Sequence, residues 1–180
     1  MALDLPLPKQ ILAHAHWTLG REKMAKSTGN VVNPFFAIDR FGVDMMRYYL
    51  AHDGRNSQDS DYSNENIIER YKKGLQGGLG NLTSRILRGK GWSVRDAVKL
   101  ARDGSLGLWN GQHQEQYDLL AATPGWFAGR MNNLNVSEAT QGVMKMIYAV
   151  CDVHTSSGKS VIDSICRLMY TSNGRNHGPL

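Results

Sequence analysis

Apolar positions fall into short runs separated by polar, glycine-rich stretches, and the spacing within the runs changes along the chain. Gln10 to Trp17 is a compact apolar run behind Pro6 and Pro8, which predicts a buried strand. Residues 18–30 contain Gly20, Gly29, two lysines, Ser27, Thr28 and Asn30 and have little to pack, which predicts a mobile polar loop. Asn33 followed by Pro34 supplies an N-cap and a proline at the first helical position, so a short helix is expected to about Arg40, stopped by Gly42. Asp44 is expected to cap a second helix carrying Met45, Met46, Tyr48, Tyr49 and Leu50.

Residues 53–62 read as a polar connection, after which Ser63 can cap a longer helix over about 64–88. Its apolar positions Ile67, Ile68, Tyr71, Leu75, Leu79, Leu82 and Ile86 recur at helical spacing. Gly74, Gly77, Gly78 and Gly80 each weaken a helix by up to about 1 kcal/mol, so they call for a packing reason. Residues 89–130 are punctuated by glycine, with short helices expected near 94–102 and 113–122. Ser137 is expected to cap a further helix with Val143, Met146, Ile147, Val150 and Cys151 on one face, and the chain should end in a frayed tail. No internal repeat or low-complexity tract is present.

Composition narrows the class. With 41% hydrophobic and 21% charged residues the 180-residue chain can bury a core. No run approaches the roughly 20 apolar residues of a bilayer span, so no membrane partner is expected. Cys151 and Cys166 make neither a disulfide framework nor a zinc knuckle, pointing to a reduced intracellular protein without structural zinc. The first residues form no secretory signal or transit peptide, so the sequons at Asn81 and Asn135 read as chance matches. The net charge of +5 is concentrated in the first 90 residues, where 13 Lys and Arg face 9 Asp and Glu. A polyanion contact would lie there, although a solvated basic face fits the charge equally.

Two patterns carry candidate chemistry. Lys23-Met24-Ala25-Lys26-Ser27 places two lysines three apart beside a hydroxyl in a glycine-flanked loop. Such a loop can close on a triphosphate, with compact ammonium charges and backbone N–H groups near Thr28 and Gly29 meeting the anion. Spacing alone fits a solvated surface loop just as well. Asn81 and Arg85 stand four apart and share a helix face, an amide and a fork suited to base edges in a splayed single strand. A cap and an exposed cation are the plain alternative. His14 and His16 would share a strand face, but no third ligand is near. The glycines at 74–80 are no phosphate loop, and no Ser/His/Asp or Cys/His set suggests a covalent nucleophile.

LPLPKQILAHAHWTLGREKMAKSTGNVVNPF, followed by FGVDMMRYYL, resembles the class I aminoacyl-tRNA synthetases, and more narrowly the methionyl-tRNA synthetases of bacterial and mitochondrial type. The family loop is usually written KMSKS; here Ala25 replaces the middle serine while Lys23, Lys26 and Ser27 remain. The loop and its GNVV extension are shared with leucyl-, isoleucyl- and valyl-type enzymes, whereas the lead-in strand and GNLTSR favour the methionine branch. The resemblance covers about residues 5–90 and implies a C-terminal fragment that begins just before the loop.

The resemblance implies a mainly α fold: the end of a class I, Rossmann-type nucleotide-binding domain with one strand, then an incomplete helical anticodon-binding bundle. Residues 1–52 would close the catalytic domain, 53–151 would form the anticodon-binding-like part, and 152–180 a divergent tail. The implied activity is ATP-dependent attachment of methionine to tRNA. Lys23, Met24, Ala25, Lys26 and Ser27 would bind ATP, which travels with Mg2+. Lys23 and Lys26 would be the catalytic pair, and Asn81 and Arg85 would contact tRNA(Met). The HIGH-type motif and the methionine pocket of the family are not in these residues, so the 180 residues alone are expected to be inactive. A non-catalytic tRNA-binding remnant or truncated product, and a fragment of another class I synthetase, are the rival readings. The expected compartment is the mitochondrial matrix, otherwise the cytoplasm.

Overall fold

The strand expected over residues 10–17 joins the sheet only at its last residue. In the computed structural model, which describes residues 7–88, 93–103 and 114–157, β1 spans Trp17–Leu19. A strand exists only where a ladder partner runs beside it. Ala15 and His16 still touch the 56–60 segment, through Ala15 N–H to Asn56 C=O and Ser60 N–H to His16 C=O, both at 3.0 Å. Further back the chain is open to solvent, and Ile11 is 83% exposed.

The expected loop supplies one partner of β1. β2, Glu22–Lys23, pairs antiparallel with it, Leu19 opposite Glu22. The two-residue turn between them, Gly20-Arg21, has φ of 63° and 66°, the left-handed pair a tight hairpin requires. Arg21 holds this uncommon conformation with its N–H on the Asp61 carboxylate at 2.8 Å. That carboxylate also accepts from the buried Thr18 hydroxyl at 2.6 Å. These two bonds hold the Asp61 carboxyl below its ordinary range.

The second partner comes from the polar connection. β3, Ser60–Tyr62, lies parallel to β1, so the sheet order is β2-β1-β3. Single-strand patterning could not reveal this, because Ser-Asp-Tyr has no alternating apolar face of its own. Between β1 and β3 run α1, Pro34–Phe41, and α2, Val43–Asp53. Asn33 caps α1 as expected, its Oδ1 accepting from Phe35 N–H at 2.9 Å. Asp44 is not the cap of α2: the helix starts one residue earlier, at Val43, which leaves Asp44 as a favourable charge in the first turn.

α3, Asn64–Glu69, starts at the Ser63 cap, whose Oγ accepts from Asn66 N–H at 3.0 Å. The helix then widens into a π-helical stretch, Arg70–Gly80, and narrows again as α4, Asn81–Arg88. The glycines have their packing reason here. A Cβ on Gly74 would stand 2.4 Å from Tyr48 Oη, and one on Gly78 would stand 3.1 Å from Met144 and from Tyr148. On the inner side of the wide winding, a Cβ on Gly77 would meet Lys72 C=O at 2.9 Å.

α5, Val94–Arg102, agrees with expectation. α6, Gln114–Asn132, runs on through Pro124, where a proline would ordinarily announce an end. α7, Val136–Ser157, begins at Asn135, whose Oδ1 accepts from Glu138 N–H at 3.3 Å. Ser137 therefore lies inside the first turn and is not the cap. Its hydroxyl reaches instead to His52 C=O. The buried face of α7 runs through Ala139, Met144, Ile147, Val150 and Cys151, with Met146 only partly covered. Helix α7 runs to Ser157, and the expected frayed tail lies outside the described residues.

Apolar clusters form on both sides of α2 among the described residues. Tyr49 and Ile67 are fully buried with Ala37, Met45 and Met46, and Trp17 and Tyr62 pack against them. Met144, Ile147 and Cys151 form the second cluster with Leu82 and Val143. Tyr48 packs on both, so α2 is the element that joins the sheet to the later helices.

Candidate functional site

Residues 23–30 form a closed turn around one side chain. Lys26–Thr28 makes a short 3-10 helix, with Thr28 N–H on Ala25 C=O at 3.2 Å and Gly29 N–H on Lys26 C=O at 3.3 Å. Gly29 sits at φ 70°, where a side chain would be strained. Asn30 then folds its carboxamide back across the turn. Its Oδ1 accepts from Ala25 N–H at 2.9 Å and from the Thr28 hydroxyl at 2.6 Å, and its Nδ2 donates to Lys23 C=O at 3.1 Å. The expected mobile loop is therefore an organised one. Lys23, Lys26 and Ser27 are exposed on it, with Met24 and Ala25 half-buried. Asn30 is the residue at the centre of this turn that spacing does not single out. The available signal was a Gly-Asn pair closing a turn, since Asn side chains mimic backbone in such places.

Asn81 and Arg85 open and continue α4, and they touch. Arg85 Nε donates to Asn81 Oδ1 at 3.1 Å, while a terminal guanidinium nitrogen donates to Cys151 C=O on α7 at 3.2 Å. The helical spacing brings the amide and the fork to one face, as expected, and both are half-buried. The loop and this pair belong to different elements, and no hydrogen bond or ion pair joins them among the described residues. The Cys151 thiol beneath is pushed up by burial, against the pull of Arg85.

A polar junction closes the end of α2. Arg70 Nε meets both Asp53 carboxylate oxygens at 3.0 Å, and His52 Nδ1 lies 2.5 Å from Oδ1. Burial raises the Asp53 carboxyl, but these partners outweigh it and hold it below its ordinary 3.8. A groove of about 600 Å3 opens beside this junction, lined among others by Tyr48, Arg70, Lys72, Lys73 and Tyr148. Tyr48, desolvated and facing Tyr148, is pushed up to about 12. Lys73 is paired with Glu69 at 2.6 Å, and its backbone carbonyl accepts from the Tyr148 hydroxyl at 2.9 Å.

The weaker candidates separate from the site. His14 and His16 precede β1 and are exposed, and His16 N–H bonds the Asp59 carboxylate at 2.9 Å. Among the described residues no three His, Cys, Asp or Glu side chains gather as a metal site. Arg47 is exposed on α2. Trp126 covers Gly142 of α7, with Arg130 stacked on its ring at 5.7 Å. Trp92 and Trp109 lie outside the described residues.

Residues 1–87 match the family model described as tRNA synthetases class I (M). A probable mitochondrial methionine–tRNA ligase of Neurospora crassa is 47% identical over 156 residues, covering 82% of this chain and 25% of that protein. A methionine–tRNA ligase of Fusobacterium nucleatum is 46% identical over 87 residues, covering 48% of this chain and 14% of that protein. Among solved structures, Mycobacterium tuberculosis methionyl-tRNA synthetase bound by methionyl-adenylate superposes with a TM-score of 0.65. That likeness, at 20% identity, spans 93% of this chain and 34% of the other, and it is one of fold. The chain thus spans a quarter or less of the length of these two sequence relatives.

Proposed function

The chain belongs, through residues 1–87, to the class I tRNA synthetases of the methionyl type, and we propose that the whole protein is a methionine–tRNA ligase to which these residues contribute the ATP-facing loop and part of the anticodon-reading helices. In that reaction the methionine carboxylate attacks the α-phosphate of ATP, pyrophosphate leaves, and the methionyl group passes to tRNA(Met). Charge builds on the leaving pyrophosphate, so the useful residues are cations held where that charge develops. Lys26, at the start of the 3-10 turn, takes this role, with Lys23 beside it on β2. Ser27 and the half-buried Met24 and Ala25 shape the turn. No protein nucleophile is required, so catalysis is positioning and charge neutralisation. The loop offers cations and hydroxyls and does not fit a protein-held Mg2+, which would arrive bound to ATP.

At the other end, Asn81 and Arg85 read the anticodon: an amide and a fork on one helix face suit base edges rather than phosphates. A mitochondrial location is what the Neurospora relative's name supports. The observation that carries the reading is the family match over the same residues that present Lys23 and Lys26 on an ordered, exposed turn. Its test is Lys26→Ala in the full-length enzyme, followed by methionine-dependent ATP–pyrophosphate exchange. The expected loss is on the order of 10²–10³ in rate with the methionine KM little changed. Normal turnover with only a raised methionine KM would remove the clamp from the mechanism.

A further inference from the structure

We propose that Asn30 is a positioning residue for adenylate formation, its carboxamide setting where the Lys23 and Lys26 ammonium groups start from. This rests on the reading of the loop as an ATP clamp. The amide clips the chain on both sides of Met24: Nδ2 on Lys23 C=O at 3.1 Å, and Oδ1 on Ala25 N–H at 2.9 Å. The Thr28 hydroxyl lies 2.6 Å from the same Oδ1 and 2.9 Å from Ala25 C=O and shares its one proton between them, so the turn that begins with Lys26 is tied to the strand that carries Lys23. A lysine stem has four rotatable bonds, and the reach of its charge depends on a fixed backbone origin. No other side chain bonds both Lys23 C=O and Ala25 N–H among the described residues.

The residue type follows from this pattern. Acceptance from Ala25 N–H together with donation to Lys23 C=O needs an amide. An aspartate would turn an oxygen toward Lys23 C=O and add a negative charge where phosphate must approach. The local turn does not depend on Asn30 to form, because the Thr28 and Gly29 backbone N–H groups close it themselves. Loss of the amide should therefore loosen the relation between the two lysines without unfolding the protein.

The experiment uses the full-length enzyme and methionine-dependent ATP–pyrophosphate exchange on Asn30→Ala, Asn30→Asp, Lys26→Ala and the Asn30→Ala/Lys26→Ala pair. Asn30→Ala is expected to lower kcat about 10–100-fold, the scale of a misplaced charge, with methionine KM and melting temperature unchanged. Asn30→Asp should be at least as slow, although it keeps both acceptor contacts. If Asn30 acts through the lysines, the double variant should be slower than Lys26→Ala alone by clearly less than the full Asn30→Ala loss, the remainder being its effect on Lys23. Full multiplication of the two losses, or an Asn30→Ala enzyme at wild-type rate while Lys26→Ala is slow, overturns the positioning role and leaves the clamp standing. A Lys26→Ala enzyme at wild-type rate overturns the clamp and this proposal with it.

Discussion

The hydroxyl of Ser137 donates to the backbone carbonyl of His52 at 2.6 Å, joining residues 85 positions apart. Gln141 Nε2 reaches the same carbonyl at 2.9 Å and also Ser137 Oγ at 3.0 Å. The last turn of α2 is thus stitched to the first turns of α7 at a single acceptor. Ser137→Ala should cost about 0.5–1.5 kcal/mol, since Gln141 still satisfies the carbonyl, whereas Ser137→Ala with Gln141→Leu strands a half-buried acceptor and should cost about 1–3 kcal/mol more. Urea unfolding of the three proteins measures both steps; equal midpoints would show that this stitch contributes nothing.

Gly74→Ala should destabilise the protein even though alanine favours a helix by about 1 kcal/mol. The added Cβ would fall 2.4 Å from Tyr48 Oη, with the ring carbons at 3.1 and 3.2 Å behind it. Overpacking of this kind costs about 1–3 kcal/mol. Removing the hydroxyl relieves the worst contact, so Gly74→Ala in a Tyr48→Phe background should lose less than in wild type. Thermal melts of the four proteins form the cycle, and additive losses would count against the clash.

Acid should release the Asp53 junction. Its carboxyl lies below the ordinary value when folded, despite burial, because His52 and Arg70 hold the charged form. A depressed folded value means the stabilisation is complete above the ordinary carboxylate range and is lost as pH falls through the folded value. Asp53→Asn should therefore lose about 1–3 kcal/mol at neutral pH and show a flatter decline in stability toward about pH 3 than wild type. Denaturant midpoints across that range decide it; parallel curves would assign the acid sensitivity elsewhere.

Arg85→Ala in the full-length enzyme should compress the difference in charging between tRNA with the CAU anticodon and tRNA with an altered one. A good base contact supplies roughly 1–3 kcal/mol of discrimination. Lys72→Ala and Lys73→Ala should weaken both tRNAs alike, because phosphate contacts carry no base information. Lys73 should matter less, since Glu69 already holds it. Equal losses on both tRNAs from Arg85→Ala would make Arg85 a backbone clamp.

The helices were legible wherever a cap and a period agreed. Asn33 with Pro34 set α1, and Ser63 set the start of α3, because both signals are local chemistry. Asn81 and Arg85 were legible for the same reason, as i and i+4 on one helix. What the sequence hid is non-local. Ser60–Tyr62 has no strand pattern of its own and becomes a strand only because Trp17–Leu19 lies alongside. Ser137 looks like a cap by type, but its partner is 85 residues away. Asn30 looks like any polar loop residue until the turn folds Lys23 and Ala25 against its amide. The π winding also could not be read, since four glycines signal only that something comes close, not that it is Tyr48, Met144 and Tyr148.

The parallel pairing of β1 with β3 has a consequence in time. Trp17 meets Ser60 and Leu19 meets Tyr62 only after some forty intervening residues have been drawn into a loop, and α1 and α2 occupy that loop. Closing so long a stretch of flexible chain carries an entropic cost that local helix formation does not. Helices that form within microseconds shorten the span before the strands meet. During refolding, α1 and α2 are therefore expected to gain amide-exchange protection ahead of Thr18 and Asp61. The hairpin turn, whose Arg21 N–H waits for the Asp61 carboxylate, would then be among the last parts of the sheet to set.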